Sequence, residues 1–137
     1  MLQLNEIGFV KSSFKQHADP LVMQKHVSYV IIREEYEKGL EKIEEKSYLQ
    51  ILYRFHLCDE CFKLSDDTYS GMSQGIFASR STGRPNNIGL TTVKLIKKNK
   101  NILTVIGLDA LDGSPILDIK PYNPKLDFRL ISPYLTN

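Results

Sequence analysis

No apolar run in this chain of 137 residues approaches the roughly 18–20 residues that a helix needs to cross a bilayer. The opening "MLQLNEIGFVKSSF" also lacks the basic start and long apolar middle of a signal peptide, so the expectation is a cytoplasmic protein with no membrane partner. Charge of one sign is scarce: 18 Lys and Arg stand against 16 Asp and Glu, a net charge of +2 that neither demands nor excludes a nucleic-acid partner. Cys58 and Cys61 are the only cysteines, a poor basis for a disulfide framework, and two reduced thiols are expected. With His56 they form H-x-C-x-x-C, but the local sequence supplies no fourth zinc ligand, and no metal is expected. The redox reading of the pair lacks the surrounding βαβ pattern. Neither G-x-G-x-x-G nor G-x-x-x-x-G-K-[ST] occurs, which removes the usual dinucleotide cradle and the P-loop. No serine sits in a G-x-S-x-G elbow, and His17, His26 and His56 form no H-E-x-x-H pair.

What is present is a hydrophobic fraction of 42%, enough for one compact core, and the expectation is a single domain over residues 1–137. Strand signals lie in "NEIGFVKSSF", "HVSYVIIR", "YLQILYRFHL", "GLTTVKLIKK", "NILTVIG" and the end of "LDALDGSPILDIKPY". "NKN" at 99–101 reads as a tight hairpin exposing Lys97, Lys98 and Lys100, and Asp112-Gly113 as a left-handed turn. Residues 34–46 space Tyr36, Leu40 and Ile43 along one face of a short helix, with Gly39 also allowing an interrupted helix or a helical turn. "KQHADPLVMQ" reads as a loop, "KLSDDTYSGMSQ" as polar and flexible, and the last fifteen residues as a tail or interface arm. Strands without regularly alternating helices give a mainly β class, a barrel or sandwich: a small antiparallel β-barrel with one short helix and a long functional loop.

That loop is "GIFASRSTGRPNNIG", residues 75–89. Most connections run to about 4–6 residues, and longer ones are commonly functional or disordered. Pro85 fixes a backbone angle and restricts Arg84, and asparagines bond nearby backbone, so a shaped loop is expected.

"GIFASRSTGRPNNIGL" followed by "LDALDGSPILDIKPY" resembles the paired signatures of the YaeB/TsaA-like family, and "EKGLEKIEEKSYLQILYRFH" resembles its segment leading to a buried strand that ends in Phe-His. The resemblance runs from about Ile7 to Tyr122. It implies a small β-barrel methyltransferase that uses S-adenosyl-L-methionine, acts as a homodimer, and methylates N6 of threonylcarbamoyladenosine beside the anticodon of a tRNA. Carried over by motif, the cofactor contacts are His56, Leu57, Arg80, Leu90, Ala110, Leu111, Asp112 and Gly113. Arg80 suits bidentate pairing with the methionine carboxylate, and a glycine turn allows close backbone approach. Tyr122 and Asp118 are the catalytic candidates, with core packing the other reading of Tyr122; Arg84, Asn86 and Lys120 are the substrate contacts. Two departures from the family pattern stand out: Asn87 replaces its second proline, and "HADPLVMQ" stands where Pro-Arg-Gln is common. Two other readings stay open, a methyltransferase with a different acceptor and a barrel that binds the cofactor or RNA without turnover.

Overall fold

The computed structural model describes residues 1–58, 61–66 and 73–128. Six strands close into an antiparallel barrel: β1 (Gly8–Lys11), β2 (Val27–Ile32), β3 (Tyr48–Arg54), β6 (Ile88–Asn99), β7 (Ile102–Ile106) and β8 (Pro115–Pro121), in the order β1-β2-β7-β6-β3-β8. The polar stretch read as flexible instead contributes a two-stranded ribbon, β4 (Ser65–Asp66) and β5 (Gln74–Gly75), while residues 67–72 of it lie outside the described residues.

Alternation builds the barrel. In β3, Leu49, Ile51 and Tyr53 are buried and face Val93, Thr91 and Gly89 of β6, because directly opposite residues share a face. Val10, Val30, Ile32, Leu103, Val105 and Ile116 complete the interior from the other strands, each fully buried apolar side chain contributing about 1.5–3 kcal/mol. Two register shifts re-aim the walls. One leaves Ile96 unpaired between Leu95 and Lys97; the other leaves Leu117 unpaired between Ile116 and Asp118. Lys100 takes a left-handed φ of 55° in the tight hairpin between β6 and β7. Lys97 and Lys100 are exposed there, but Lys98 is half-buried and pairs with Glu44 at 3.5 Å, contrary to the expectation that all three are free.

The charged segment 34–46 is neither an α-helix nor continuous. It forms 3-10 turns at Glu34–Leu40 and Ile43–Glu45, separated by Lys42 at φ 68°. Leu40 is buried and Ile43 packs on the core, so this segment stoppers the barrel end where β3 begins and β8 finishes. The stretch expected to be a loop near Pro20 instead winds into α1 (Pro20–Met23), because Asp19 accepts from the Leu21 amide at 2.9 Å and Met23 is buried. Past Tyr122, Asn123 caps α2 (Pro124–Asp127); residues 129–137 of the expected tail lie outside the described residues.

Candidate active site

The unstoppered end is where β3 finishes and β6 and β8 begin. Beyond Arg54 the chain is held by the Phe55 amide, which donates to the Asn87 carbonyl at 2.8 Å, and His56 follows at a turn. Its Nδ1 lies 3.4 Å from the Ser114 hydroxyl, and its Nε2 lies 3.5 Å from where a Cβ on Gly113 would stand. Gly113 has φ +85°, a conformation that L side chains rarely adopt. The turn is anchored to the end of β1: the Asp112 carboxylate accepts from the Ser12 amide at 2.9 Å, and the Asp112 and Gly113 amides donate to the carbonyls of Phe14 and Val10 at 2.7 Å each. Ala110 is buried and Leu111 accepts from the Ser114 hydroxyl, so His56 and Ala110 to Gly113 meet as one rigid wall.

The long loop is shaped both from within its own motif and by a side chain outside it. Asp66 of β4 is buried, and its Oδ2 accepts from the hydroxyls of Ser79 at 2.5 Å and Ser81 at 2.6 Å. These serines flank Arg80. From the other side, Nη1 of Arg84 donates to the carbonyls of the same two residues, at 2.8 and 3.2 Å. Clamped on both flanks, Arg80 reaches out and donates to the Leu90 carbonyl at 2.5 Å. Arg84, expected to grip phosphate, is half-buried and braces the loop with that nitrogen, whereas Asn86 is exposed. Asn87 adopts φ 53°, which asparagine tolerates, and its buried Oδ1 has no hydrogen-bond partner among the described residues.

Beside Leu90 sits a cluster that sequence reasoning missed. Tyr53 donates to Oδ1 of Asp109 at 3.0 Å, and Thr91 donates to the same oxygen at 2.6 Å. Burial, reinforced by the Asp109 carboxylate, pushes the Tyr53 phenol well above its ordinary value, so it stays a neutral donor. The ring lies across β6 at Gly89: a Cβ there would meet Tyr53 Cζ at 2.7 Å and Phe55 Cζ at 2.8 Å. Phe55 closes over Tyr53 edge to face, with centroids 5.4 Å apart. The glycine of "NNIG" therefore admits the aromatic pair that aims a hydroxyl at Asp109.

Not all of the remaining expected residues converge here. Leu57 and Leu90 are exposed at this end. Asp118, Lys120 and Tyr122 run towards the stoppered end, and the six residue steps from Pro115 to Pro121 alone extend about 20 Å. Asp118 and Lys120 pair with each other at 2.9 Å on the outer face, which raises the Lys120 amine above its ordinary value, and the Tyr122 amide donates to Tyr48. Cys58 and Cys61, expected as two reduced thiols, are brought side by side with Cα atoms 5.3 Å apart, within the span of a disulfide. Their turn packs on the loop through the Lys63 amide, which donates to the Gly83 carbonyl at 3.1 Å. Among the described residues no group of three His, Cys, Asp or Glu side chains is placed to hold a metal. No described helix is long and apolar enough to cross a membrane.

The fold and sequence correspond to a known family. The family model described as "tRNA-methyltransferase O N-terminal domain" matches residues 9–128. The chain belongs to that family. It is 39% identical over 127 residues to an S-adenosyl-L-methionine-binding protein of Archaeoglobus fulgidus, covering 90% of this chain and 91% of the relative. It is 40% identical over 89 residues to the mouse (Mus musculus) tRNA (adenine(37)-N6)-methyltransferase, covering 63% of this chain and 21% of that enzyme. The crystal structure of TrmO from Pseudomonas aeruginosa superposes with a TM-score of 0.77 at 29% identity, covering 96% of this chain and 60% of that one. The chain thus spans nearly the whole archaeal relative but about 60% of the bacterial one. Of the barrel and sandwich that the strand pattern left open, the fold is the barrel.

Proposed function

We propose that the chain binds S-adenosyl-L-methionine at the open end of the barrel and transfers its methyl group to N6 of an adenosine in tRNA, the acceptor being threonylcarbamoyladenosine beside the anticodon. The observation that carries the cofactor half is the convergence of a clamped, outward-reaching Arg80 with the His56–Gly113 wall at one barrel end. The acceptor half rests on membership of the tRNA-methyltransferase O family. The sulfonium donor is already activated, so the protein's task is to hold donor and acceptor in line, without a covalent nucleophile. Arg80 pairs with the methionine carboxylate, His56 and Leu57 border the ligand, and the Gly113 turn lets backbone approach it.

Tyr122, Lys120 and the hairpin lysines Lys97 and Lys100 lie towards the other end of β8 and β6, while Asp118, midway along β8 and opposite Leu52 as Leu90 is, pairs with Lys120. They enter the proposal as RNA contacts presented by a second copy in a cytoplasmic homodimer. Phe9, Val27 and Tyr29, exposed on the outer face of β1 and β2, support such a partner surface. A different acceptor remains the second reading, favoured by Asn87 in the loop.

The test incubates the protein with labelled S-adenosylmethionine and tRNA carrying or lacking the threonylcarbamoyl group, then identifies the methylated nucleoside by mass spectrometry. Label confined to the modified tRNA is expected; equal label in both rejects recognition of the modification. Calorimetry gives the cofactor half separately: Arg80→Ala is expected to weaken binding by at least about tenfold, the scale of one charge-assisted hydrogen bond. Light scattering that finds a 15.7 kDa particle at micromolar concentration rejects the dimer.

A further inference from the structure

The proposed cofactor contacts omit Asp109, a carboxylate that two hydroxyls hold at the open end. Asp109 enters on the segment between β7 and β8, with Leu108 and Ala110 buried on either side. Its Oδ1 accepts from two hydroxyls, Tyr53 at 3.0 Å and Thr91 at 2.6 Å, while Oδ2 has no hydrogen bond to a described residue. An ionised carboxylate offers about four acceptor positions, so this one is fixed in orientation with its second oxygen free to receive a donor.

Strand pairing shows where that oxygen sits. β6 pairs with β3 from Ile88 to Lys94 but with β7 only from Lys94 onwards, so its first half has one side open. Arg80 and Asp109 come to adjacent residues of that half: Arg80 to the Leu90 carbonyl, Asp109 to the Thr91 hydroxyl. Among the described residues they form no ion pair with each other, each being held by other groups. A cation and an anion fixed side by side and kept apart present the mirror image of a zwitterion. An α-amino acid carries its carboxylate and ammonium on one carbon, and offers both complements at once.

We propose that Asp109 is a ligand-binding residue that accepts from the α-ammonium of the amino-acid end of S-adenosylmethionine while Arg80 holds the carboxylate, with Tyr53, Thr91 and Gly89 as its positioning residues. The assignment rests on the cofactor reading above and extends it to a residue outside the motif contacts. Tyr53 belongs to the barrel core and reaches Asp109 only because Gly89 has no side chain, so the packed interior sets the angle of the carboxylate.

The test compares S-adenosylhomocysteine with its analogue lacking the α-amino group, S-(5′-adenosyl)-4-thiobutanoate, by calorimetry on the full chain. Wild type is expected to prefer the amino compound by about tenfold or more, as for a hydrogen bond between charged groups. Asp109→Asn is expected to reduce that preference to within about threefold, mainly by losing affinity for the amino compound, and Tyr53→Phe to reduce it partway. A purely structural Asp109 would instead weaken both ligands equally or lower the melting temperature with the preference intact, and either result overturns the assignment. Wild type that binds both ligands equally overturns it alone; wild type that binds neither overturns the cofactor reading with it.

Discussion

The two ends of this barrel are built from different materials. One is stoppered by Leu40 and Ile43 on a pair of 3-10 turns, with apolar contacts facing the core and charges facing water. The other is held by carboxylates on hydroxyls and amides: Asp66 on Ser79 and Ser81, Asp109 on Tyr53 and Thr91, Asp112 on the Ser12 amide. Apolar packing is tolerant in direction and strong in sum; carboxylate networks contribute less to net stability but fix angles. A barrel can therefore keep its stability at one end and its ligand geometry at the other, and substitutions at the two ends should separate these properties.

The largest effect on stability is expected from Leu40→Ala, which empties part of the stopper: a loss of about 2–5 kcal/mol in denaturant unfolding. Affinity for S-adenosylmethionine should stay within about twofold, since the change lies at the opposite end; a tenfold drop would mean that the ends are coupled. Next comes Gly89→Ala, where a methyl group would press on the Tyr53 and Phe55 rings at 2.7 and 2.8 Å. Overpacking of this kind costs about 1–3 kcal/mol, and because the displaced ring carries the hydroxyl bound to Asp109, cofactor affinity should fall as well. Asp66→Ala is expected to cost about 1–2 kcal/mol for the unsatisfied serine hydroxyls. It should also lower cofactor affinity through a less ordered Arg80, and unchanged calorimetric affinity would dissociate the clamp from binding.

The smallest effect is a pH dependence. The Tyr53 phenol is held above its ordinary value, so it stays protonated in the folded protein where the unfolded chain begins to ionise, near pH 10. Stability from this group is fully present below that pH and falls as pH rises beyond it, because the folded state then binds more protons than the unfolded one. The stability advantage of wild type over Tyr53→Phe should shrink by about 1 kcal/mol between pH 9 and pH 11. A constant difference across that range in chemical denaturation would place the phenol in an ordinary environment.

Strand alternation made the barrel wall legible: the buried Leu49, Ile51 and Tyr53 are spaced by two, and β-branched runs mark β2 and β7. Arg80 and the Asp112-Gly113 turn could be picked out because their motifs are contiguous. Asp66 and Asp109 could not. Asp66 lies in a polar stretch that reads as filler, and its partners are 13 and 15 residues away. Asp109 finds Tyr53 across a separation of 56 residues. Such pairings depend on strand order, which local composition does not encode. The charged segment left a helix, an interrupted helix and a helical turn all open, since its spacing of apolar residues suits one face whether the turns are α or 3-10. The left-handed Lys42 that divides it carries no sequence signature of its own.

Barrel closure sets the order in which this site can come into being. β8 is the last of the described strands, yet it lies between β1 and β3, pairing Ile116 with Gly8 and Pro121 with Leu49. Contacts so remote in sequence form late, because the entropy of closing the intervening loop must first be overcome. During synthesis the early strands can pair while β1 and β3 still expose the edges that β8 will cover. The wall containing Gly113 is anchored to the end of β1 immediately ahead of the strand that closes the barrel. Ligand binding thus requires a closed barrel, and a nascent chain halted before residue 115 would carry the Arg80 loop without a site for it to serve.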